Sequence, residues 1–166
     1  MKSYKDILIE QIKKINPKIL YHLSSENLDG KVLTPRIPNG WATKHKNPDT
    51  KELLEDNTIS RVCFSESIDG ALLGIAKNIE GLTFYVHEPR NYSGLKLMSN
   101  SEIIQKELIY DSLYTKEVWV LNPVKLKFLY KIRVGRAIDK YESIIFKTSS
   151  RVLKMYYWNW DRINKD

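Results

Sequence analysis

Residues 18–24, Lys-Ile-Leu-Tyr-His-Leu-Ser, carry the reading on which the fold turns. An apolar run leads into the pair Tyr21–His22, and a polar turn of Ser24, Ser25, Glu26 and Asn27 follows at once. The run over 19–23 reads as a short buried strand with His22 near its end. A titratable ring there, beside backbone donors of a turn or helix start, suits a polar or anionic ligand. On these residues alone, a half-buried histidine with one satisfied hydrogen bond is the simpler reading.

Before this stretch, residues 3–16 show helical period, with Ile7, Leu8, Ile12 and Ile15 on one face and Pro17 where a helix stops. After it, residues 28–40 are turn-rich, and Pro35 and Pro38 flank Arg36 and Ile37. Little backbone freedom remains there, so Arg36 is presented firmly, as a phosphate or carboxylate contact or as a surface ion pair. Residues 41–58 read as a long polar loop, a candidate lid.

Residues 59–64 read as a strand, followed by a helix capped at Ser65 or Ser67. Gly70 and Gly74 weaken that helix, so close backbone approach is the expected reason for them. Strands are expected at 82–88, 114–121 and 124–134, with a short helix at 99–107. Lysine alternates with apolar residues early in 124–134, which leaves one face wet. Residues 136–147 fit helix or strand equally, and 149–160 lean helical. Helices and strands do not alternate strictly, so the expected fold is α+β: one compact domain over 1–166 with a split, largely antiparallel sheet.

Composition narrows the class. The hydrophobic content of 42% and charged content of 28% are those of an ordinary globular chain. The single cysteine, Cys63, excludes an internal disulfide and a cysteine-rich zinc site, and inside an apolar strand it reads as buried and inert. There is no long apolar run and no signal-peptide core, so a cytoplasmic protein without a membrane span is expected. Residues 123–166 hold eleven Lys and Arg against four Asp and Glu, which accounts for the whole net charge of +7. With Tyr156, Tyr157, Trp158 and Trp160 beside it, this basic end fits either nucleic acid or a solvated surface over packed aromatics.

Phosphate-loop, dinucleotide-fingerprint, nucleophile-elbow and zinc-helix signatures are all missing, and His22, His45 and His87 lack metal-ligand spacing. What remains is a scattered set, with His22, Phe64-Ser65 and Glu117 each where a strand meets polar residues. If those strands are neighbours, the groups share a cleft. A carboxylate beside an anomeric carbon stabilises the cation that forms as a glycosidic bond breaks. A solvated glutamate beside Lys116 is the plain alternative.

Three blocks, in order, resemble the His–Tyr–Glu branch of the ADP-ribosyltransferase superfamily. Tyr21-His22-Leu23-Ser24 is similar to the first-strand His-Gly-Ser/Thr motif. Arg61 to Ser65, followed by Asp69-Gly70-Ala71, resembles the second motif, a strand leading into a helix. Lys116 to Leu121, followed by 124–134, resembles the glutamate strand of poly(ADP-ribose) polymerases. Phe84 to Pro89 resembles a strand of rifamycin ADP-ribosyltransferases. The resemblance covers roughly 19–134 and implies a split-sheet fold that holds NAD as substrate.

It implies that His22 and Ser24 bind the nicotinamide ribose and that Phe64 and Ser65 line the nicotinamide pocket. Glu117 would hold the ribose 2′-hydroxyl and stabilise the oxocarbenium ion, and Arg36 would pair with the pyrophosphate. Cys63 stands where the motif has its tyrosine, so Tyr85, Tyr92 or Trp119 would supply the stacking ring. Leu23 stands where glycine is usual. The implied activity is transfer of ADP-ribose to an acceptor that is protein, nucleic acid or small molecule. The alternatives are a non-catalytic module of the same fold, and a protein that meets nucleic acid through its basic end.

Overall fold

The computed structural model describes residues 18–75 and 78–163. The helix expected at 3–16 lies outside them. Two antiparallel sheets form the body. The first contains β1 (His22–Ser24), β2 (Val32–Leu33), β4 (Thr83–Pro89), β7 (Val124–Ile145) and β8 (Val152–Ile163). Its order is β1-β4-β7-β2, and β8 also pairs with β7. The second sheet contains β3 (Val62–Ser65), β5 (Leu97–Met98) and β6 (Glu117–Val120), in the order β3-β6-β5. Among the described residues the α-helices are short: α1 (Ile68–Leu73), α2 (Asn100–Gln105) and α3 (Ser112–Thr115). The chain is therefore one domain, mostly antiparallel sheet with few helices.

The stretch around His22 stitches the two sheets together. β1 lies in the first sheet, His22 opposite His87, while Tyr21 exchanges both backbone hydrogen bonds with Ser65 of β3, at 2.8 and 2.9 Å. One apolar core follows from the two-residue period of β3 and β6. Val62, Phe64, Val118 and Val120 turn to one side and pack with Leu20, Val124 and Leu126. On the other side of the same strands, Ser65 is paired with Glu117 and Cys63 with Trp119. That alternation keeps polar groups off the core and aims them at the cleft described below.

α1 begins as expected, with Ser67 as its cap and the Ser67 hydroxyl accepting the Gly70 N–H. The expected reason for Gly70 holds. A Cβ there would overlap the Thr115 carbonyl oxygen and stand 2.7 Å from Ser65 Oγ. At Gly74 it would meet Ala71 O at 3.6 Å, an ordinary contact, so close approach does not explain that glycine. Gly70→Ala should therefore cost about 1–3 kcal/mol or more by urea denaturation, as overpacked sites do. Gly74→Ala should change stability by no more than about 0.5 kcal/mol, the range of substitutions that disturb no packed feature.

Two expectations need correction, and one open choice is settled. Residues 112–115 form a helical turn before β6, closed by Lys116 in a left-handed conformation at φ 54°, so the strand begins at Glu117. The ambiguous 136–147 is strand through Ile145, and 149–160 is not helical: 149–151 belong to the hairpin turn region and 152–160 to β8. β7 and β8 form one long hairpin in which Tyr141 faces Tyr156 and Val134 faces Trp160. The alternating aromatics decide it. Trp158 and Trp160 turn onto the cluster around Ile68, Leu72 and Ile132, and the pleated partner strand takes up the backbone groups.

The 41–58 segment is no free flap. It starts with a 3-10 turn at Ala42–Lys44, buries Leu54, and forms backbone bridges between Lys46 and Leu53 and between Glu55 and Ile109. Its Asp49 carboxylate accepts the N–H groups of Lys147 and Thr148, at 3.0 and 2.8 Å, and so ties the loop to the hairpin tip.

Candidate functional site

A cleft of about 730 Å³ opens where the two sheets meet. β1, β3 and β6 bring His22, Cys63, Phe64, Ser65 and Glu117 to its lining. Opposite them stand Trp41 from the anchored loop and Lys154, Tyr156 and Trp158 from β8. Three groups distant in sequence thus reach one hollow because Tyr21 bonds Ser65 and Ser65 is paired with Glu117.

His22 is set by its backbone neighbours. Its Nδ1 lies 3.0 Å from the Cys63 carbonyl oxygen, so that nitrogen carries the proton and Nε2 is left as an acceptor. Burial lowers its pKa, the Cys63 hydrogen bond opposes that, and the charge of Arg36 adds to the lowering. The ring is neutral at physiological pH and leans on Phe64, centroids 5.6 Å apart. Behind it, fully buried His87 accepts the Leu28 N–H at Nε2 and holds the following loop.

Glu117 follows the left-handed Lys116, and its Oε1 accepts the Trp119 indole N–H at 2.7 Å. Trp119 is fully buried, with the Arg61 guanidinium 3.7 Å from its ring centroid. The carboxylate therefore rests on a fixed donor, which in turn rests on a fixed cation. Trp119 cannot stack on a ligand, and Tyr92, whose hydroxyl bonds Glu88 and the Leu20 N–H, packs on the core instead. The rings in the lining include Tyr21, Trp41, Tyr110, Tyr156 and Trp158.

The remaining expected residues are placed as follows. Ser65 lines the cleft, yet its hydroxyl donates to the Thr115 carbonyl at 2.7 Å, so it braces β3 against α3. Ser24, Arg36 and Tyr85 are not in the lining. Ser24 Oγ accepts the Glu26 N–H. Exposed Arg36 pairs its backbone with Arg61 while its charge is felt at His22. Tyr85 packs on Phe128, with the Lys131 ammonium 5.6 Å from its ring. Cys63 is not buried inside its strand, since its side chain opens to the cleft. Packed round by protein, with the Glu117 carboxylate beside it, its thiol is pushed well above the usual range, so it stays protonated.

Sequence reasoning missed the cleft's acidic floor. Glu55, Asp111 and Glu117 all line it, from a loop, a helix start and a strand. Burial raises the Glu55 carboxyl, with Arg61 opposing and Glu117 adding. Asp111 is only 7% exposed, and its Oδ1 has no hydrogen-bond partner. Burial first, then the Glu117 charge, raises its pKa from 3.8 to about 7. No local pattern marked Asp111, because the neighbours that perturb it come from elsewhere in the chain.

A raised folded pKa means that the native state binds this proton more tightly than the unfolded chain does. Asp111 therefore contributes stability that is full below about pH 4 and lost as the pH rises through about 7. Asp111→Asn should remove that slope and stabilise the protein at pH 8 by on the order of 2–4 kcal/mol. Urea midpoints for both proteins at pH 4 and pH 8 measure it. Equal differences at the two pH values would show that Asp111 does not titrate in this window.

Among the described residues, no group of three His, Cys, Asp or Glu side chains is arranged to hold a metal ion, and no helix is long and apolar enough to cross a membrane. The chain matches no family profile, no curated protein and no solved structure.

Proposed function

We propose that this protein is ADP-ribosyltransferase-like: it binds NAD in the cleft between its sheets, breaks the nicotinamide–ribose bond and passes ADP-ribose to an acceptor. One observation carries the reading. His22, Phe64 and Glu117, the three positions that resemble the superfamily's motifs, line the same hollow from three strands. Its volume falls within the range of ligand sites.

The chemistry follows from the groups present. The neutral His22 offers Nε2 as acceptor for a ribose hydroxyl. Tyr21, Trp158 and the other rings of the lining give the nicotinamide an apolar wall, with Phe64 buried behind His22. As the C1′–nitrogen bond breaks, nicotinamide leaves as a neutral base with the bonding pair, and positive charge grows on the ribose. Glu117, held by the Trp119 N–H, is a fixed negative group for that charge and needs no reorganisation as it forms. The acceptor then bonds to C1′ and gives up a proton.

The test is nicotinamide release from NAD, followed chromatographically, beside calorimetry of NAD binding. Release together with binding supports the enzyme, and absence of both removes NAD from the cleft. A second reading is favoured by Leu23, which lines the cleft beside His22 where the motif has glycine. On that reading the chain is a non-catalytic nucleotide-binding module, and calorimetry shows binding while no nicotinamide is released.

A further inference from the structure

We infer that the β7–β8 hairpin is a platform for single-stranded nucleic acid, with its cleft-facing side taking stacked bases and its lysines and arginines taking phosphates. The hairpin strands and their turn, residues 124–163, hold ten Lys and Arg against three Asp and Glu. Among the described residues, carboxylate ion pairs engage only two of these cations, Lys127 and Arg136, at 3.8 and 3.9 Å. The positive charge of the chain is thus gathered on one hairpin, and among the described residues carboxylates leave most of it unpaired.

The second observation is where the aromatic rings lie. Residues directly opposite in an antiparallel pair share a face, and Tyr141 is opposite Tyr156. Their ring centroids are 5.9 Å apart, yet they stay 49% and 37% exposed. The Lys154 ammonium stands 4.8 Å from the Tyr141 ring. Lys154, Tyr156 and Trp158 line the cleft, and Arg151 lies 5.1 Å from the ring of Trp41, another lining residue. Exposed rings interleaved with cations are the combination that holds single strands, because every base has a face to stack and every nucleotide a phosphate.

The acidic floor adds direction. The Glu117 carboxylate on that floor disfavours phosphates there, so the strand's backbone keeps to the lysines and arginines of the hairpin while bases turn inward. A duplex keeps its bases stacked on one another and gains nothing from the tyrosines. An acidic peptide satisfies the lysines but leaves the rings uncovered. The inference does not depend on NAD.

Fluorescence anisotropy with a fluorescein-labelled 20-nucleotide DNA strand of mixed sequence, without NAD, tests it. We expect binding at 50 mM salt that weakens about tenfold or more by 200 mM, as several phosphate contacts require. Tyr156→Ala and Tyr141→Ala, both at exposed positions, should each weaken binding at least about fivefold, as loss of one stacked base does. Lys154→Glu should weaken it further, while circular dichroism stays unchanged for all three. Lys106→Ala, far from the hairpin in sequence and next to α2, should bind as the parent does. No binding at 50 mM salt overturns the inference. So does equal affinity for the matching duplex or for polyglutamate, or full binding by both tyrosine variants.

Discussion

Replacing Glu117 with glutamine should lower nicotinamide release from NAD by at least about a hundredfold while leaving the urea midpoint nearly unchanged. The reasoning rests on what glutamine keeps and what it loses. Its side-chain oxygen can still accept the Trp119 indole N–H, so the strand and the ring below stay in place. The negative charge that the proposed reaction sets beside a developing oxocarbenium ion is gone, and one such electrostatic group is worth about a hundred- to a thousandfold in rate. NAD affinity should change far less, because that charge forms only as the bond breaks. Undiminished release by Glu117→Gln would remove this residue from the chemistry. Trp119→Phe, which deletes the donor and keeps the charge, should fall between the two.

The second large effect is on stability. Arg61→Met should destabilise the fold by about 3–5 kcal/mol, the usual cost of stranding the partners of a buried ion pair. The Arg61 side chain is 0% exposed. One terminal nitrogen donates to Glu55 Oε1 at 2.8 Å and to the Asp56 carbonyl at 3.0 Å. The other reaches Asp56 Oδ2 at 3.3 Å and the Ile59 carbonyl at 3.0 Å. Without the guanidinium, the Glu55 carboxylate and two carbonyls lose this donor at once, Asp56 keeps only its Thr58 and Ile59 donors, and the face of Trp119 loses its cation. Lysine has one nitrogen and cannot span this fork, so Arg61→Lys should recover less than half of the loss. Adding Glu55→Gln to Arg61→Met should restore part of it, because one of the stranded charges goes too. If both single variants unfold at the parent's urea midpoint, Arg61 is not the brace described here.

Arg61 also shows why the site and the fold are hard to separate. It holds the 55–61 loop from one side and supports Trp119 from the other, and Trp119 supports Glu117. An arginine inside the run Ile-Ser-Arg-Val-Cys-Phe looks, in sequence, like an exposed residue on an edge. Only the arrival of Glu55, Asp56 and Trp119 makes its burial tolerable.

Local pattern made the short strands legible. Tyr21-His22-Leu23, Val62 to Ser65 and Thr83 to Pro89 are compact runs bounded by turn residues, Ser67 sits as a helix cap where it was expected, and Ser99 caps the helix read at 99–107. The proposed resemblance to one superfamily rests on the same short runs, since each motif lies within a few consecutive residues. The hairpin was not legible. Residues 149–160 contain enough lysine, leucine and methionine to suit a helix, and nothing nearby shows that a partner strand lies just across the turn.

By itself, then, the sequence determined the antiparallel sheet character and the polar residues at the strand ends, because those depend on neighbours one or two places along the chain. Tertiary structure alone decided that Glu55, Asp111 and Glu117 share a floor and that the basic end forms a wall of the same cleft. Those depend on pairings such as Tyr21 with Ser65 and Tyr141 with Tyr156. Side-chain charge and ring exposure take their meaning from what the fold brings within a few ångströms, and separation along the chain carries no record of that distance.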